Sequence, residues 1–267
     1  MRTLLARSAV QARFVLIGSS ALLCGFQMIV IGQAAEIQRT QTFGLVAELL
    51  PAFLQRGLGS RAMLLATFKG TVAFGYFHPV VCLVVAFVAM YIATEPAHEI
   101  ESGLVDLELA RAVPRLRLLT RSLLLAHLAI AAALALMFAG TAIGSRVFDT
   151  AGMDLPPAAM RLRLLANLGA TASCFAGFAL LIAAGSSRWV TAFTTAALTA
   201  VVLYLLDFLA IGWPAVKNVA WISPFHYYRA LSIVAGDTSP WGDVSILVGA
   251  AAVCAAGAYW RFSRRDL

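Results

Sequence analysis

The residues able to do chemistry in this chain are few, and the densest group lies between positions 95 and 115. Acids come first, as Glu95, Glu99, Glu101, Asp106 and Glu108. Arginines come last, as Arg111 and Arg115, with Gly103 between the two sets. That order suits a helix, whose dipole favours negative charge at its start and positive charge at its end. Carboxylates presented in this way can meet basic side chains of a partner protein. Elsewhere, no acid/base pair or nucleophile-base arrangement appears within a long apolar run, so an intramembrane protease or transferase has little support. Cys24, Cys82, Cys174 and Cys254 show no paired spacing of the metal or redox kind, and His78, His98, His127 and His226 are equally scattered. A phosphate-cradling G-x-x-x-x-G-K-[ST] loop is missing, and the two lysines are Lys69 and Lys217. The chain is therefore read as no enzyme, with no cofactor or metal of its own.

A second polar set falls at helical spacing. Thr191, Thr194, Thr195 and Thr199 lie within an arc of about 140° at roughly 100° per residue, and Asp207 follows about 80° further round. Polar groups on a membrane-crossing helix face protein or water rather than lipid. Two uses are open. The stripe could line a substrate path or a dimer axis, or it could serve helix packing, with threonine hydroxyls bonding their own i−4 carbonyls. Asp207 could also sit in the outer interface, where a charge costs less.

The elements that must position these residues follow from the scarcity of charge. The 267 residues are 61% hydrophobic and 12% charged, with a mean hydropathy of +0.86. A soluble surface needs about twice that charged share, so the membrane is part of the fold. A crossing helix needs about 20 mainly apolar residues. Six runs reach that length, at about 14–35, 70–94, 118–145, 164–187, 189–212 and 243–261. Gly and Ala recur throughout, and no alternating ten-residue pattern is present, which favours a helical bundle over a barrel. The predicted fold is an all-α, multi-pass membrane domain covering 1–267. Its net charge of +7 then reflects arginines at a membrane face, not a nucleic-acid surface.

Arginines set the orientation. With the N-terminus inside, the cytoplasmic segments hold Arg2, Arg7, Arg13, Arg111, Arg115, Arg117, Arg121, Arg188, Arg261, Arg264 and Arg265, more densely than the external segments hold theirs. Both termini are expected in the cytoplasm of an inner-membrane protein. Arg161 and Arg163 oppose this. A secretory signal is a competing reading of the first span, but its apolar region is long, and five remaining spans would separate the two ends. The external segments are 36–69, 146–163 and 213–242. The first has Leu45, Leu49, Phe53 and neighbours at helical spacing, as interfacial helices do, and the last carries an aromatic belt with Trp213, Trp221 and Trp241. In the cytoplasmic segment 95–117, Ile100, Leu104 and Leu107 share a stripe, which predicts an amphipathic helix ending before Pro114. Leu4, Leu5 and Val10 share no face, so the N-terminal stretch is read as a topology signal only. Gly169, Ser173 and Gly177, with Gly249 and Gly257 in the last span, suit close helix approach.

At the 95–117 segment the sequence resembles the permease subunits of ABC-2 type ATP-binding-cassette transporters. Ile92-Ala93-Thr94-Glu95 stands where they carry I-A-x-E, Glu99 and Gly103 match E-x-x-x-G, and Arg111-Ala112-Val113-Pro114-Arg115 is similar to R-P-V-S-R. Ala112 and Pro114 depart from that last pattern and shift the expected helix end. Leu50-Pro51, Ser223-Pro224-Phe225-His226-Tyr227-Tyr228 and Phe262-Ser263-Arg264-Arg265-Asp266-Leu267 are also similar. The resemblance implies a type V exporter-like permease fold and a partner set of two cytoplasmic ABC ATPase subunits and a second permease copy. ATP and Mg would sit on those ATPases. Glu95, Glu99, Glu101, Gly103, Asp106, Glu108, Arg111 and Arg115 would form the ATPase-coupling segment, its acids meeting basic positions on the partner. A signalling or scaffold subunit that docks a cytoplasmic partner without transport is the alternative. A secondary transporter would be expected to show inverted repeats and discontinuous helices with charged midplane residues, and the runs display neither.

Overall fold

The computed structural model describes residues 2–44, 62–104 and 114–265, and every regular element among them is helical. The α-helices are α1 (Arg2–Gln11), α2 (Arg13–Arg39), α3 (Ala62–Leu65), α4 (Phe68–Phe77), α5 (Pro79–Ala93) and α6 (Glu95–Glu101). They continue with α7 (Leu116–Val147), α8 (Ala158–Ala183), α9 (Trp189–Ala210), α10 (Pro214–Lys217), α11 (Ala230–Ala235) and α12 (Trp241–Ser263). Short 3-10 turns occupy Ala220–Ile222 and Pro224–Tyr227. Six helical stretches are long and apolar enough to cross a membrane, and each overlaps one of the six apolar runs; four contain theirs whole, while 164–187 and 189–212 reach past the ends of α8 and α9. Charged residues ride on the helix ends beyond the runs, as Arg117 and Arg146 do on α7.

α8 is the central element, packed on α12, α5, α7 and α9. Its closest approach to α12 is at Gly177, where a Cβ would lie 2.7 Å from the Ala251 carbonyl oxygen. The α2–α7 crossing depends in the same way on Gly140, whose added Cβ would stand 2.6 Å from the Cys24 oxygen. Helices in lipid gain little from apolar burial against one another, so contact at this range supplies the missing attraction through dispersion. α9 joins the bundle through Ala192, Ala196 and Ala200, a stripe of small residues one turn apart. α12 buries only Leu247, Ala258 and Phe262. The outer faces of these two helices carry Val190, Leu198, Val202, Val253 and Trp260, all exposed on the single chain.

The second span is broken, contrary to the expectation of continuous spans. α4 stops at Phe77, His78 takes φ −56° and ψ 137°, and α5 restarts at Pro79. Proline has no N–H to donate and pushes the preceding residue toward extended backbone, while its own φ suits the first turn of a new helix. Two side chains repair the gap. The Val80 N–H donates to His78 Nδ1 at 3.3 Å, and the Tyr228 hydroxyl donates to the freed Tyr76 carbonyl at 3.0 Å. Burial pushes the Tyr228 phenol well above its ordinary value, so it stays protonated as that donor.

Two further expectations change. The amphipathic stripe predicted one helix from Glu95 to Pro114, but α6 ends at Glu101, and Gly103 follows in the left-handed region at φ 70°. That conformation favours glycine and turns the chain out of the helix axis. Asp106, Glu108 and Arg111 lie outside the described residues, as do residues 45–61 of the segment expected to be external and interfacial. At the start of the chain, α1 packs against α7. Leu5, Ser8, Ala9 and Ala12 form its inward stripe, with Ser8 and Ala12 buried. The face has helical spacing but small residues, which is why apolar periodicity overlooked it.

Candidate functional site

The acids that follow the second span gather at one end of the bundle, here termed proximal. α6 is a direct continuation of α5, with Thr94 as the hinge residue and Pro96 in its first turn. Pro96 needs no N–H partner there, so the turn is compatible with an abrupt restart. The start of α7 runs alongside. Arg121, in the second turn of α7, is completely buried. Its Nη2 donates to Glu99 Oε2 at 2.6 Å and lies 3.7 Å from Glu95 Oε2. The Ser122 hydroxyl donates to Glu95 Oε2 at 3.4 Å. Arg7 on α1 attracts Glu99 through space, bringing a third helix to the junction.

Glu99 therefore does not present its carboxylate to a partner, as the sequence suggested. It is 2% exposed and paired inside its own chain. An isolated ionised carboxylate or guanidinium could not be buried so deeply without a large penalty, and the short charged hydrogen bond is what makes the burial tolerable. Arg121 is likewise an internal partner rather than a solvated topology charge.

Glu101 fastens the opposite side of α6. Its Oε2 accepts the Trp189 backbone N–H at 2.8 Å, placing a negative charge at the start of α9, where the helix dipole favours it. The Trp189 ring N–H donates to Thr94 Oγ1 at 3.1 Å. The seven-residue α6 is thus held between α7 and α9. The chain just past α12 adds a further tie: Arg265 donates to the Ser186 and Ala184 carbonyls at 2.8 and 3.3 Å, capping the C-terminal end of α8 from a distance. Arg115 donates to the Arg265 carbonyl at 3.1 Å.

The α9 stripe is placed differently. Thr191, Thr194 and Thr195 are exposed on the single chain and Thr199 is half-buried. Thr194 bonds the Val190 carbonyl at 2.6 Å and Thr199 the Thr195 carbonyl at 2.8 Å. Packing within the chain uses the alanine face instead, so the threonines point away from their own bundle.

Asp207 lies at the distal end, its Oδ1 3.5 Å from His226 Nδ1, with both side chains about one-third exposed. The pair edges a cavity of about 600 Å³ between the broken second span, the end of α9 and the 220–232 segment, walled by Phe74, Phe77, Tyr204, Phe208 and Tyr228. Pro79 was a readable clue to the break. Nothing in sequence spacing joins His226 to Asp207. Among the described residues no group of three or more His, Cys, Asp or Glu side chains could hold a metal ion.

Comparisons with family models, with curated proteins and with solved structures return no match to this chain.

Proposed function

We propose that this chain is the membrane-spanning permease subunit of an ABC-2 type ATP-driven transporter, working as an exporter with its proximal end in the cytoplasm. The observation that carries the reading is the seating of α6. An acid-bearing helix directly prolongs a membrane span and is fixed to two other spans by Arg121 and Glu101. Work done on a loop dissipates in that loop, whereas a push on a clamped helix moves the elements to which it is clamped. Closure of a pair of ATPase subunits beneath the proximal end would tilt α6 and, with it, α5, α7 and α9. In this reading Glu95 and Glu99 act by positioning α6, and Gly103 turns the chain toward the ATPase. A second permease copy would cover the exposed face of α9, placing the threonines on the dimer axis, and the distal cavity would serve the exit of the substrate.

The test is purification of the tagged chain from its native membrane in mild detergent, followed by ATPase assay. The expected result is a co-purifying chain with a G-x-x-x-x-G-K-[ST] loop in equal amount, whose hydrolysis rises on assembly. A scaffold would retain a partner with no effect on hydrolysis, and absence of any nucleotide-binding chain would overturn the proposal.

A further inference from the structure

A cleft of about 240 Å³ opens at the proximal end between α1, the end of α5, α6 and the start of α9. That is room for a small molecule or one headgroup. Its lining combines three rings with acceptors. Tyr91 meets Trp189 edge-on at 5.6 Å, and His98 meets Trp189 edge-on at 6.2 Å. Phe193 stacks on Trp189 at 5.5 Å with an interplanar angle of 5°, fixing the indole from behind. Beside the rings stand the Glu95 carboxylate, the Gln11 amide and the Ser8 hydroxyl.

Two independent observations point to a ligand. Ser8 is 2% exposed, and its Oγ has no hydrogen-bond partner, although a buried hydroxyl is costly to leave unpaired. Charge is also unevenly compensated. The short Arg121 hydrogen bond goes to Glu99, while Glu95 has longer contacts at 3.7 and 3.4 Å, both on Oε2. Among the described residues the lining holds no Arg or Lys and so offers an anion little. A carboxylate facing aromatic rings is the chemistry that recognises an organic cation, through ion pairing and the ring quadrupoles.

We propose that this cleft binds a small organic ammonium group, with Glu95 as its counter-ion, Ser8 Oγ as a hydrogen-bond acceptor, and Tyr91 and Trp189 as its aromatic walls. The group could come from a free amine or from the headgroup of an aminophospholipid, since α1 lies at the mouth of the cleft. The inference goes beyond transport and needs no ATPase, so it stands or falls separately from the proposed function.

The test uses the full chain in phosphatidylglycerol nanodiscs, titrated calorimetrically with 2-phenylethylammonium, and with 2-phenylethanol as the uncharged control. Saturable one-to-one binding of the amine is expected, with no saturable binding of the alcohol. Glu95→Gln should weaken the amine by about tenfold or more, as loss of a charged hydrogen bond implies. Ser8→Val, which fills the cleft without touching either ion pair, should abolish binding while helicity by circular dichroism is unchanged. Equal affinity in wild type and Glu95→Gln, binding that survives Ser8→Val, or equal binding of the alcohol would overturn the proposal. Repeating the titration in phosphatidylethanolamine nanodiscs identifies the source: weakened amine binding assigns the lipid headgroup, and unchanged affinity assigns a free amine.

Discussion

Two carboxylate pairs of similar composition sit at opposite ends of this bundle, and their surroundings make them different devices. At the proximal end Arg121 and Glu99 are 0% and 3% exposed in their side chains and 2.6 Å apart. At the distal end His226 and Asp207 are 35% and 30% exposed and 3.5 Å apart. The first pair joins helices through a charged hydrogen bond from which water is excluded. The second edges an open cavity beside a broken span. Burial decides what such a pair can do. Removing one partner of a buried pair strands a charge, whereas an exposed pair exchanges its partner for water at little cost. The proximal end is accordingly the part fitted to carry force, and the distal end the part free to change shape.

The largest expected effect tests that contrast at its stronger side. Arg121→Ala should cost about 3–5 kcal/mol by stranding Glu99 in the interior, seen as a lower thermal midpoint and loss of monodispersity in detergent. The paired variant Arg121→Met with Glu99→Leu removes both charges and should recover most of that loss. Next comes an anchor of the distal end. Tyr228→Phe leaves the Tyr76 carbonyl unsatisfied at the helix break and should cost roughly 1–2 kcal/mol in the same melting assay. Arg265→Ala, which uncaps α8, should cost about 1 kcal/mol and should raise proteolytic cleavage at the 184–188 turn. The smallest effect belongs to Asp207→Asn, at about 0–1 kcal/mol and shrinking further in high salt. An Asp207→Asn penalty that matched the Arg121→Ala penalty would erase the contrast between the ends.

The architecture was legible because hydropathy counts residues over whole spans, and errors at single positions average out. Each of the six runs overlaps one of the six long helices. Local features with an apolar signature also showed, such as the glycine contact at Gly177. What could not be seen was pairing. Arg121 is 22 residues from Glu99, and in sequence it looks like one more arginine at a membrane face. A guanidinium placed two turns into an otherwise apolar helix is the clue in hindsight, because only an internal acid makes that position tolerable. The threonines of α9 were ambiguous for a different reason. They left a path or dimer axis and helix packing both open; within the chain, alanine permits closer approach, and Ala192, Ala196 and Ala200 make the packing face. The early end of α6 depended on one glycine at positive φ, which outweighed a three-residue apolar stripe.

The claim most open to direct attack is that α6 moves as one piece with the helices around it. Hydrogen exchange of the full chain in nanodiscs, followed by peptide mass spectrometry, measures this. Amides of 95–101 should be protected as well as those at the start of α7. Arg121→Met should speed their exchange by about tenfold or more, while peptides covering 214–235 stay unchanged. Exchange at 95–101 as fast as in the short distal helices of the wild-type chain, or left unaltered by Arg121→Met, would contradict it.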